Sequence, residues 1–115
     1  MVRFMAYEDN YFDMCEALGH RTVIYGAGTY AKKAFPNLKN VSYICDKCAG
    51  EIQSLNGVPV ITLAELESIG ETLLIVICVK SESARKEIKL RLGELSIDAY
   101  IFDFFELCII WKCIV

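Results

Sequence analysis

Gly26-Ala27-Gly28-Thr29-Tyr30-Ala31 has the residue types and spacing of a phosphate-binding turn. It follows the apolar run Thr22-Val23-Ile24-Tyr25 and opens a short helical segment. Asp46 stands at the end of a second apolar run, Val41-Ser42-Tyr43-Ile44-Cys45, twenty positions after Gly26. Gly26 would let the backbone turn tightly as it leaves its strand. Gly28 would let a phosphate approach the chain, and Ala31 would let the helix pack closely. Amides from Ala27 to Tyr30, at the helix start, would then hold the phosphate with help from the helix dipole. Tyr30 would pack on the ligand. The same six residues also suit a plain tight turn between strand and helix.

A carboxylate at the tip of the second strand can accept both hydroxyls of a ribose, and it would repel a 2′-phosphate. An aspartate that merely starts a loop fits Asp46 equally well, and both readings stay open here. Lys80 and Ser81 follow the run Leu73–Val79. They sit where an open sheet binds ligands, beyond the carboxyl ends of its strands. A surface lysine and a helix cap are the plainer roles for them.

A catalytic set is not legible. His20 is the single histidine, and no Ser-His-acid or Cys-His arrangement can be assembled around it. Cys45-Asp46-Lys47-Cys48 is a C-x-x-C without a second pair, so no zinc site is expected. Cys45 belongs to a strand pattern rather than to a helix start, where a dipole would activate a thiol. No catalytic residue and no metal ligand is assigned.

The elements that must position these residues alternate. Residues 8–18 read as a helix with an apolar face, ended by Gly19. Strands are expected over 21–25, 41–45, 57–61, 73–79 and 99–102. Helices are expected over 28–35, 62–69 and from Ser81 or Ser83 to about Leu95, with a polar loop over 47–57. Pro59 cannot donate a ladder hydrogen bond, which puts its strand at an edge. Thr62-Leu63-Ala64-Glu65 is a capping box. Leu73–Val79 is continuous and uncharged, the pattern of a strand covered on both faces. In the last helix Ala84, Ile88, Leu92 and Leu95 turn inward. Arg85, Lys86, Glu87, Lys89 and Arg91 read as a solvated face. The expected fold is α/β: an open parallel Rossmann-like sheet, strand order 3-2-1-4-5, with helices on both faces. The 115 residues suit one domain, with a core over 21–103 and an apolar extension over 104–115.

Composition narrows the partners. The net charge is −3 with no basic run, which argues against nucleic acid. No apolar segment reaches the roughly 18 residues of a membrane span. Acids come too early for a signal peptide, so a cytoplasmic protein with reduced cysteines is expected. The hydrophobic fraction of 55% exceeds the usual share and suggests a homo-oligomer or a neighbouring catalytic domain.

From Thr22 to about Asp103 the chain resembles small Rossmann-like domains attached to bacterial surface-polysaccharide enzymes. It is similar to the N-terminal domain of PglD-type sugar acetyltransferases. The residues that carry the likeness are Val23–Gly28, Tyr43–Asp46, Gly57–Val60, Thr62–Leu66 and Leu73–Val79. Domains beside sugar methyltransferases and glycosyltransferases look alike. The resemblance implies a UDP-sugar held through Gly26, Gly28 and Asp46. The acetyltransferases carry their catalytic histidine and acetyl-CoA site on a left-handed β-helix that this sequence does not contain. What it implies is recognition without catalysis: a nucleotide or nucleotide-sugar binding module of polysaccharide assembly. A minimal NAD-dependent oxidoreductase, or a fragment of one, also suits the glycine turn and Asp46. So does a structural module that associates through its apolar surface.

Overall fold

Leu73–Ile77 is uncharged and buried at every position, and it forms the interior strand from which the fold is best read. In the computed structural model, which describes residues 2–4, 18–46 and 54–104, it is strand β6 of a seven-stranded sheet. The strands are β1 (Val2–Phe4), β2 (Arg21–Tyr25), β3 (Val41–Cys45), β4 (Ser54–Leu55), β5 (Val58–Ile61), β6 and β7 (Ala99–Asp103). Their order is β1-β7-β6-β2-β3-β5-β4. All pairs are parallel except the hairpin of β4 with β5.

This corrects the expected five-stranded order 3-2-1-4-5 and the expected all-parallel sheet. A short strand is added at each edge. Three residues at β1 are too few to show a period. At the other edge Asn56 and Gly57 take φ of 52° and 78°, the pair of positive angles that a two-residue type I′ hairpin requires. Their turn folds Ser54–Leu55 back on Val58–Pro59, in what the sequence suggested was loop. Pro59 therefore lies in the last parallel strand but not at the sheet edge.

Alternation sorts side chains onto two faces. Ile24, Ile44, Leu74, Val76 and Phe102 meet Ala31 and Ala34 of helix α1 (Thr29–Ala34). Val23, Tyr25, Cys45, Ile75, Ile77 and Ile101 meet Leu66 of helix α2 (Leu63–Glu67) and Ile88 and Leu92 of helix α3 (Glu82–Glu94). Helix α1 is shorter than expected, because Phe35–Asn37 tightens into a 3-10 turn around Pro36. Helix α2 opens on the expected capping box, in which Thr62 Oγ1 accepts from the Glu65 amide at 3.2 Å. It stops at Glu67, where the Ser68 amide and hydroxyl both turn back to the Glu65 carbonyl.

The helix expected over 8–18 and the extension over 104–115 lie almost entirely outside the described residues, as do Cys48 and most of the 47–57 loop. No helix among the described residues is long and apolar enough to cross a membrane.

Candidate functional site

The carboxyl ends of β2, β3 and β6 converge on one cavity of about 290 Å³. Tyr25, Gly26, Asp46, Val79, Ala84, Glu87, Ile88 and Arg91 line it. Crossovers leave β2 on one side and β6 on the other, so the cavity sits at the point where the strand order reverses. That is the usual ligand position in open α/β sheets.

Gly26 has a structural reason to be glycine. Its φ is +111°, and a Cβ there would lie 3.0 Å from the Cys78 carbonyl oxygen and 3.2 Å from Val79 Cγ2. Its amide donates to the Cys45 carbonyl at 2.8 Å. Gly28 is different. Its φ is −92°, and a Cβ would meet nothing within 4 Å. No contact within the protein requires glycine at this exposed position.

Asp46 faces the turn. Its Oδ2 accepts from the Ala27 amide at 2.9 Å, tying the tip of β3 to the loop after β2. The Ala27 amide is therefore spent within the protein. Thr29 is exposed at the start of α1, and no side chain caps that helix. With six residues, α1 gives a weaker dipole than the sequence suggested. Tyr30 packs at 6.4 Å from the Phe104 ring, with Lys33 Nζ 5.3 Å from its own ring centroid. It belongs to the α1 face and does not line the cavity. Ser81 caps α3, accepting from the Ala84 amide at 3.3 Å, and Lys80 is exposed. The structure thus brings Gly26 and Asp46 to the cavity, with Ala27 bonded to Asp46, and leaves Gly28, Thr29, Tyr30, Lys80 and Ser81 off its wall.

Residues of α3 that read as solvated are drawn into the architecture. Glu87 and Arg91, paired at 3.0 Å, stand at the cavity. Positions 84, 87, 88 and 91 follow helical spacing, so this wall was present in the sequence. Arg85 is held between elements. Its Nε meets Asp103 Oδ2 at 2.9 Å, while Nη1 donates to the Val79 carbonyl at 3.2 Å and to the Lys80 carbonyl. Lys89 Nζ lies 3.7 Å from the same Asp103 oxygen. Arg85 and Asp103 thereby fix the loop that forms one side of the cavity.

Burial is the first cause that pushes the Cys45 thiol from 9.0 up to about 12, with Asp46 and Glu65 adding to it. Burial also leads in pushing the Tyr25 hydroxyl from 10.0 up to about 12, with Cys45 next. Cys45 is therefore a neutral core thiol, not a nucleophile. Both folded values lie above the unfolded ones. The stability these groups contribute is complete below about pH 9 and is lost as pH rises toward 12. Urea unfolding midpoints should fall steadily from pH 8.5 to 11, and Cys45→Ala should flatten the first part of that decline.

A larger hollow of about 560 Å³ lies at the amino ends of the strands, lined by Glu67, Glu71, Thr72, Ser96 and Asp98 among others. Its acids are engaged. Asp98 accepts from Thr72 at 2.7 Å and from Arg3 at 2.8 Å, which holds its carboxyl below the usual range. Glu71 pairs with Arg21 at 3.0 Å, and Glu67 accepts from the Ser96 amide at 2.8 Å. These bonds tie strand ends together, and the smaller cavity is the candidate site. No group of three or more His, Cys, Asp or Glu among the described residues is placed to hold a metal ion. His20 stacks on Tyr100, with ring centroids 5.9 Å apart.

No protein-family model, curated protein or solved structure matches this chain.

Proposed function

We propose that this chain is a nucleotide or nucleotide-sugar binding module with no complete active site of its own. It is a Rossmann-like domain whose natural setting is bacterial surface-polysaccharide synthesis. The observation that carries the reading is the 2.9 Å bond from the Ala27 amide to Asp46. It puts the acid of the second strand beside the glycine turn, on the wall of a cavity at the carboxyl ends of the strands. The parallel run β5-β3-β2-β6-β7 supports the same reading, because its reversal falls between β2 and β6. Such a module works with a neighbouring catalytic domain or a second copy. Phe4 and Leu90, 51% and 70% exposed on an apolar groove beside Gly93, offer surface for that contact.

Thermal shift with UDP, UDP-sugars and NAD tests the reading. A ligand at 100 times its Kd should add about 2.7 kcal/mol of stability. Flat melting curves with every nucleotide would sink it. Reduction of NAD by a sugar would move the protein to the oxidoreductases.

A further inference from the structure

Tyr25 is 8% exposed, and it ends β2 on the α3 face of the sheet. Its backbone carbonyl accepts from the Cys78 amide at 2.9 Å. Its hydroxyl has no hydrogen-bond partner among the described residues. Every fully buried side-chain nitrogen or oxygen among them is satisfied. The Tyr25 oxygen is therefore open to the cavity that its side chain lines. An accessible hydroxyl on an otherwise buried side chain takes its hydrogen bond from whatever enters the cavity, water or ligand.

The rest of the wall narrows what that partner is. Asp46 and Glu87 are acidic and Arg91 is basic, so the charged groups at the cavity sum to −1. Val79, Ala84 and Ile88 supply apolar surface. A polyphosphate is repelled from such a site, whereas an uncharged group with hydroxyls and a flat apolar face is suited to it. The volume, about 290 Å³, lies at the lower end of the roughly 300–1,000 Å³ of small-molecule sites. That is room for one nucleoside rather than a dinucleotide.

We propose that the cavity takes the nucleoside end of the ligand and that the Tyr25 hydroxyl is its anchoring hydrogen-bond group. The proposal rests on the nucleotide-binding reading above and places the phosphates outside the cavity, over Gly28. The phenol stays protonated throughout the physiological range, so it both donates and accepts. Tyr25→Phe keeps the ring and removes only the oxygen.

Titration calorimetry of the full chain and of Tyr25→Phe with uridine, adenosine and UDP decides it. Uridine or adenosine should bind without any phosphate. Tyr25→Phe should weaken nucleoside and UDP binding by about 3- to 10-fold, the loss of one neutral hydrogen bond. Its melting temperature without ligand should be unchanged or higher, since it removes an unpaired hydroxyl. UDP binding with equal affinity to both proteins overturns the anchoring role and leaves the nucleotide reading intact. UDP binding with none from either nucleoside overturns the placement of the ligand in the same way. No binding of any of the three overturns both.

Discussion

Gly26→Ala is expected to destabilise the fold by roughly 2–3 kcal/mol, while Gly28→Ala stays within about 1 kcal/mol. At Gly26 two costs add. A side chain at φ +111° is strained in itself, and its Cβ would press on the Cys78 carbonyl oxygen at 3.0 Å. That oxygen is backbone at the end of β6, next to the bond from the Cys78 amide to the Tyr25 carbonyl. It cannot retreat without parting β6 from β2. For a domain of this size the melting temperature should fall by roughly 8–12 °C. At Gly28 neither cost applies, since φ is −92° and the space is open. The same substitution there should leave the melt nearly unchanged and weaken nucleotide binding. Equal melting losses at the two positions would contradict this division of labour.

The contrast shows what was legible. The G-x-G-x-x-A pattern assigns Gly26 to the tight turn and Gly28 to the approach of a phosphate, but it does not show what surrounds either. Only the geometry separates a glycine required by the neighbouring strand from one that nothing in the protein requires. Leu73–Ile77 was legible because a strand buried on both faces needs an unbroken apolar run. Asp46 was legible by position, though its bond to the Ala27 amide was not. β4 was readable in principle, since Asn56-Gly57 is a strong hairpin signal, but Pro59 beside it pointed to an edge. β1 was not readable, because three residues carry no periodicity. Tyr25 was counted as the last apolar residue of its strand, and nothing in one-dimensional spacing tells that its hydroxyl lacks a partner. Glu87 and Arg91 were assigned to solvent because charged residues on a helix usually are.

Asp103→Ala is the second large effect expected. Removing the carboxylate leaves Arg85, whose side chain is 16% exposed, without its ion-pair partner. Breaking a buried pair typically costs about 3–5 kcal/mol. Arg85 keeps its bonds to the Val79 and Lys80 carbonyls, and Lys89 is nearer solvent. The expected loss is therefore at the low end, roughly 2–3 kcal/mol. Changing both partners, Asp103→Leu with Arg85→Met, should recover part of it, because the more buried cation leaves with the carboxylate and only Lys89, nearer solvent, loses its contact with Asp103. The two carbonyls belong to the loop between β6 and α3 that bounds the cavity. Arg85→Met should therefore weaken ligand binding beyond what its stability loss explains. Urea unfolding of both single variants and the pair gives the coupling, and an additive result would mean that the ion pair contributes nothing.

The proposed nucleotide site lies where the glycine turn, Asp46 and the end of β6 meet. Amide chemical shifts of the labelled protein, followed through a titration with UDP, test it residue by residue. Saturable shifts are expected at Gly26 to Thr29, at Asp46 and at Val79 to Ser81, with the amides around Asp98 unmoved. Shifts centred on Asp98 and Glu67, or none at any UDP concentration, would contradict it.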